Sequence, residues 1–121
     1  MDRRKFQDAR AVDVLSAQHY QWGAGCDGWR LLNLPNLSVI QERAPPGAAE
    51  IRHFHQRAQQ FFYVLSGAAT LECGESRVEL QAGQGCHVAA GLEHRFSNLT
   101  DRDVIFLVIS SESTLHDRIN V

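Results

Sequence analysis

His53-Phe54-His55 puts two imidazoles two positions apart in a stretch that reads as strand. On a strand both rings leave the same face, on either side of Phe54, and together they can bind one ion. Taken alone the pair is equally compatible with a polar surface face. The chain holds four further histidines. His87 sits beside Val88 in a short apolar stretch and reads as a core histidine with hydrogen-bonded nitrogens. His19 and His116 fall in irregular or terminal segments, where exposure is expected. His94 follows a turn signal and is carried on another strand.

These residues have to be positioned by strands. Trp29–Leu34 and Leu37–Arg43 read as a pair joined at Pro35-Asn36. Short strands follow at Glu50–Phe54, Gln60–Leu65, Ala68–Cys73, Arg77–Leu80, Gly85–Val88, Glu93–Ser97 and Val104–Ile109. Turn residues punctuate them at Ser66-Gly67, Gly74-Glu75, Ala82-Gly83, Ala90-Gly91 and Thr100-Asp101. Many short strands at near-regular spacing predict an all-β sandwich or barrel. The first third is less regular: Asp13–Tyr20 reads as one or two helical turns with Asp13 as N-cap, and Gly23-Ala24-Gly25 and Asp27-Gly28 break whatever precedes them.

The spacing around the histidines is more specific than their types. Gly47 is followed by five residues, His53-Phe54-His55, four residues, Gln60, six residues and Gly67. Gly83 is followed by five residues, Ala89, one residue, Gly91, two residues, His94, three residues and Asn98. This closely resembles the two signature segments of the cupin superfamily. The stretches Trp22–Trp29 and Ser113–Arg118 also look like those of small single-domain bacterial cupins. The resemblance implies a small double-stranded β-helix, or jelly-roll, barrel over residues 29–112. An N-terminal segment (1–28) with a short helical turn would precede it, and a C-terminal tail (113–121) would follow.

The resemblance also implies one divalent metal ion (zinc, nickel, iron, manganese or copper) held by His53, His55, Gln60 and His94. Two positions depart from the family pattern. Ala89 stands for the usual proline, a mild loss because Ala90-Gly91 still turns the chain. Gln60 stands for the usual glutamate, so the ligand set is neutral and a bound ion keeps its full +2 charge, with weaker affinity and stronger Lewis acidity. Gln59 is a rival ligand, but the six-residue spacing to Gly67 selects Gln60, which shares its face with Phe62 and Val64. Glu50 has the opposite strand parity to His53 and should point outward. Phe62, Val64, Phe96, Ile40 and Trp29 are expected to line or support the site, with Tyr20 and Trp22 covering an end. No general acid or base is placed by spacing, and Tyr63 has the wrong parity. His116-Asp117-Arg118 can fold over the barrel mouth, although a solvated tail is the simpler expectation.

Composition bounds the remainder. The 121 residues are 44% hydrophobic and 21% charged with a formal charge of −2, an ordinary globular balance that gives no electrostatic reason to expect nucleic acid. Arg3-Arg4-Lys5 is the one basic cluster and reads as a solvated start. Met1 is followed by charged residues without an apolar core region, and Val104–Ile109 is too short to cross a bilayer, so a cytoplasmic protein off the membrane is expected. The three cysteines, Cys26, Cys73 and Cys86, fit neither a disulfide framework nor a zinc motif and read as small buried hydrophobes. Two functions fit: a metalloenzyme of isomerase, lyase or dioxygenase type acting on a small oxygen-rich acid or sugar, or a non-catalytic module binding a small molecule or metal. Apolar residues on both parities of Leu31–Leu34, Phe61–Leu65 and Val104–Ile109 predict a homodimer, and small cupins commonly pair back to back.

Overall fold

Alternation decides which way each side chain of the barrel faces. The computed structural model describes residues 9–112, 114 and 116–121, so Arg3-Arg4-Lys5 lies outside the described residues. The strands are β1 (Gln18–Trp22), β2 (Cys26–Leu34), β3 (Leu37–Ala44), β4 (His53–His55), β5 (Gln59–Ser66), β6 (Ala68–Cys73), β7 (Ser76–Gln81), β8 (Gly85–Val88), β9 (His94–Ser97), β10 (Val104–Ser111) and β11 (Arg118–Asn120). They build two antiparallel sheets, ordered β1-β2-β3-β10-β5-β8 and β11-β4-β9-β6-β7. The fold is an all-β jelly roll.

The inner faces follow the two-residue period. On β10 Val104, Phe106, Val108 and Ser110 are buried, while on β5 Gln60, Phe62 and Val64 are. Register places Phe106 opposite Val64, Val108 opposite Phe62 and Ser110 opposite Gln60, so like faces like across the pair. The rings of Phe96 and Phe106 stack at 3.9 Å, and Phe62 stacks on Phe96 at 5.7 Å. Burying each such ring contributes about 1.5–3 kcal/mol. Phe62 also meets the His94 ring edge-on at 5.8 Å, which ties the aromatic core to the histidines. At Gly67 (φ +81°) a Cβ would lie 2.5 Å from the Asp103 carbonyl oxygen, so only glycine fits the turn out of β5.

Both ends of the chain depart from expectation. Asp13 does cap a turn, its Oδ1 accepting from Leu15 N and Ser16 N at 2.9 and 3.0 Å, but the helix stops there. Gln18–Trp22 turns back at Gly23–Gly25 and pairs with Cys26–Arg30. The hairpin satisfies a full row of backbone groups, which outweighs a single helical turn. Asp27-Gly28 therefore lies inside β2 rather than breaking it, and the large sheet runs through the expected boundary at residue 29. At the other end Arg118–Asn120 pairs with His53–His55. The terminal segment is thus a sheet strand and not a solvated tail; Ser113 lies outside the described residues. Cys26 is buried, Cys73 and Cys86 are half-buried, and all three are free. Among the described residues no helix is long and apolar enough to cross a membrane.

Candidate metal centre

β4 is only three residues long, and its pleat buries His53 and His55 while Phe54 faces the other way. His94 opens β9 directly opposite His53. The His53 and His94 ring centroids lie 4.3 Å apart, His53 and His55 5.0 Å, His55 and His94 5.8 Å. One nitrogen from each lies within 4.8 Å of the other two, so the three can hold a metal ion.

Backbone carbonyls orient two of the rings. His53 Nδ1 donates to the Ile51 carbonyl at 2.7 Å and His94 Nδ1 to the Leu92 carbonyl at 2.9 Å. A carbonyl only accepts, so both Nδ1 atoms carry the proton and both Nε2 lone pairs stay available to a ligand. Burial holds all three histidines neutral: His53 is pushed down to about 3, His55 to about 4, and His94 in the same direction. Neutral imidazole is the form that ligates.

Gln60, on the facing sheet, lines the same cavity. Its Nε2 donates to Ser110 Oγ at 3.2 Å, which leaves Oε1 buried without a hydrogen-bond partner. His94 Nε2 and His55 Nδ1 are likewise buried and unpartnered. Orphaned buried polar atoms are costly, about 1–3 kcal/mol each. Two imidazole nitrogens and an amide oxygen left open at one cavity fit the first shell of a divalent ion. Gln59 is exposed and accepts a 2.8 Å contact from His87, which is itself exposed. His87 is therefore neither a core histidine nor near the site: it pairs with Phe61 on the outward parity of β8, while Val88 takes the inward one.

The cavity measures about 180 Å³ and is walled by Tyr20, Trp22, Ile40, Phe62 and Val108 together with Glu42, Glu50 and Arg118. Trp29, Val64 and Phe96 are not in this wall; Trp29 lies against His19, and the other two are buried in the core. Tyr63 is also outside it. Glu50 corrects the outward placement. Ala49 bridges Ser97 and His53 pairs His94, so four steps on one strand oppose three on the other. The extra residue reverses parity, and Glu50 turns inward, with Oε1 accepting from Phe96 N at 3.1 Å and Oε2 4.0 Å from His53 Nε2. Glu42 was legible: it shares the inward parity of Ile40. Burial raises Glu42 to about 8, assisted by the charge of Glu50, and burial raises Glu50 to about 7. Two carboxyls therefore line the cavity, where spacing placed none.

The C-terminal segment braces the site. Asp117 is buried and accepts from Arg57 N at 3.1 Å and from Ala58 N at 2.9 Å, pinning the loop between His55 and Gln60. Burial pushes its carboxyl up, but these N–H donors and the Arg57 guanidinium outweigh that and hold it below the usual carboxylate value.

Residues 41–110 match the family profile described as the cupin domain. A sugar phosphate isomerase of the cupin superfamily from Silicibacter pomeroyi superposes with a TM-score of 0.76 at 26% identity, over 86% of this chain and 76% of that one. The polyketide cyclase RemF from Streptomyces resistomycificus reaches 0.80 over 94% of this chain and 86% of its own, at 17% identity, a likeness of fold alone. Protein SchB from Streptomyces halstedii is 32% identical over 56 residues, 46% of this chain and 41% of that one. The aligned stretch spans less than half the length of the curated relatives it matches.

Proposed function

The chain belongs to the cupin family, and from that premise we propose that it is a metalloenzyme holding one divalent ion on His53, His55, His94 and Gln60 Oε1 and acting on a small oxygen-rich acid or sugar. The observation that carries this reading is the set of unpartnered buried atoms, His55 Nδ1, His94 Nε2 and Gln60 Oε1, in one cavity. When bound, the ion supplies Lewis acidity at the positions its four protein ligands leave open. The chain supplies the rest. Ile40, Phe62 and Val108 exclude water, Arg118 offers positive charge to an acid group, and the carboxyls of Glu42 and Glu50 can carry protons.

Cavity size bears on the substrate. At about 180 Å³ it falls below the ~300–1,000 Å³ of pockets for drug-sized ligands. A molecule of a few carbons suits such a volume better than a large one, and a sugar phosphate isomerase is among the proteins whose structures resemble this one. Isomerase, lyase and dioxygenase chemistry all remain within reach of such a site. The test combines elemental analysis of protein purified without chelator or affinity metal with melting and turnover, metal-loaded and stripped, across uronates, keto acids and enediols. Metal-dependent turnover with little change in melting supports the enzyme. A large loss of stability on stripping, with no turnover when loaded, would instead make it a binding module with a structural ion.

We also infer that two copies pair through the outer face of the large sheet. Phe61 and Leu65 are 38% and 43% exposed, and Val39–Ile109–Phe61 and Leu107–Tyr63 are register neighbours, which makes the apolar face continuous across β3, β10 and β5.

A further inference from the structure

Tyr20, Gly28 and Glu42 are consecutive register partners across β1, β2 and β3. Gly28 is the reason the outer two can meet. A Cβ there would lie 2.5 Å from the Tyr20 hydroxyl and closer still to Cζ. With no side chain in the way, the tyrosine ring lies across β2 and its hydroxyl donates to Glu42 Oε2 at 3.4 Å. Arg30 covers the ring at 4.5 Å from its centroid. Three adjacent strands thus deliver one carboxyl into the cavity, from the sheet facing the histidines.

Glu50 is already engaged, with Phe96 N on one oxygen and His53 near the other. Glu42 has only the Tyr20 hydroxyl as a side-chain hydrogen-bond partner among the described residues. We propose that Glu42 is the catalytic proton acceptor and donor of this site and that Tyr20, seated over Gly28, is its positioning residue. The substrate class is a small carbonyl compound with a C–H bond next to the carbonyl. This deepens the metalloenzyme reading and rests on it.

The step is a proton transfer. The Glu42 carboxylate takes the proton, the C–H electron pair becomes the C=C bond of an enolate, and the carbonyl π pair moves to oxygen. Reversal returns a proton to carbon, so that in D2O hydrogen is replaced by deuterium with no change of oxidation state. Burial and the charge of Glu50 raise the carboxyl, while the Tyr20 hydroxyl, Arg118 and Arg30 pull it back, leaving it near 8. A group titrating there can both accept and return a proton near neutral pH.

The experiment follows deuterium uptake into dihydroxyacetone and pyruvate by mass spectrometry, using protein with its as-purified metal, and measures metal content in the same samples. The wild type should exchange, and Glu42→Gln should slow exchange by about 100-fold or more with metal stoichiometry intact. Tyr20→Phe should keep exchange but move the midpoint of its pH profile upward, because a hydrogen bond favouring the carboxylate is gone. Gly28→Ala, which displaces the ring, should shift the profile the same way. Exchange by Glu42→Gln at the wild-type rate, or none by metal-bearing wild type, overturns the role of Glu42. An unmoved midpoint in Tyr20→Phe overturns the role of Tyr20, and this variant decides should Glu42→Gln fail to fold. Wild type purified without metal would sink the metal reading instead, a result visible before any exchange is measured.

Discussion

His53 and His94 are direct cross-strand partners, their ring centroids 4.3 Å apart, and each is oriented by a backbone carbonyl two residues before it in the chain. The site is therefore built by strand register rather than by a loop, and its rings are set before any ligand arrives.

Removing either ring should abolish stoichiometric metal. The loss for His53→Ala or His94→Ala should exceed the about 10–100-fold that a merely orienting residue costs, whereas His87→Ala, outside the cavity, should leave metal content unchanged. Gln60→Glu should tighten binding by adding a negative ligand. Metal retained by the double variant His53→Ala, His55→Ala would sink the ligand assignment, and weaker binding in Gln60→Glu would remove Gln60 from the first shell. Elemental analysis and competitive titration read both.

Asp117 should matter more than a carboxylate on an exposed loop does, because it is buried. Asp117→Ala strands the N–H groups of Arg57 and Ala58, the latter buried, at about 1–3 kcal/mol each. A loss of about 2–4 kcal/mol in denaturant unfolding is expected, and a weaker effect for Asp117→Asn, which keeps one acceptor. Because the loop joins His55 to Gln60, metal affinity should fall as well, by about tenfold. Wild-type stability in Asp117→Ala would show that the clamp contributes nothing.

What could be read before folding was local and periodic. Two-residue alternation aligned Gln60 with Phe62 and Val64, and the turn residues located the central strands. Three of the failures, at Glu50, Asp117 and Gln18–Trp22, share a cause: each needed a contact distant in sequence. Glu50 reversed its parity because one extra residue intrudes between the Ala49 and His53 pairings with β9, which no pattern within β4 reveals. Asp117 became a clamp through residues some sixty positions earlier. Gln18–Trp22 has a capped turn in front of it that resembles a helix start, and only pairing with β2 overrides it. His87 was misplaced for a different reason: β8 is an edge strand of four residues, too short for its inward parity to show. Glu42 needed no distant contact, since Ile40 already marked its face.

Acid and alkaline limbs of stability should have separate origins in metal-stripped protein. His53 and His55, depressed to about 3 and about 4, stay neutral in the fold while the unfolded chain binds protons from 6.5 downward. Their contribution is complete above that value and is lost as pH falls toward the folded values. Glu42 and Glu50, raised to about 8 and about 7, act oppositely. The fold holds their protons, so that contribution is complete below the ordinary 4.5 and is lost as pH rises through 7 to 8. The two trends oppose each other between 4.5 and 6.5, so the melting temperature should peak near about pH 6 and fall on both sides, toward 8 and in acid. Glu42→Gln should flatten the alkaline limb. A melting temperature that climbs steadily from pH 6 to 8 would contradict the raised carboxyls.

Pairing of two copies can be tested without touching the site. Leu107 lies on the outward parity of β10, between Gln41 on β3 and Tyr63 on β5, while Val108 beside it is buried in the barrel. A charge at Leu107 therefore faces the proposed partner and leaves the core intact. Stable pairs bury about 1,200–2,000 Å² in all, an area that the joined faces of β3, β10 and β5 must supply largely from apolar side chains. Wild type should sediment as a dimer at micromolar concentration. Leu107→Lys and Phe61→Glu should each sediment as monomers, with metal content unchanged and the dimer weakened by about 100-fold or more, since hot-spot losses at an interface centre reach about 2 kcal/mol and beyond. Two buried like charges would meet across the two-fold axis or near it, and neither could be solvated. A wild type that remains monomeric at tens of micromolar, or a Leu107→Lys variant that still pairs, would rule out this face.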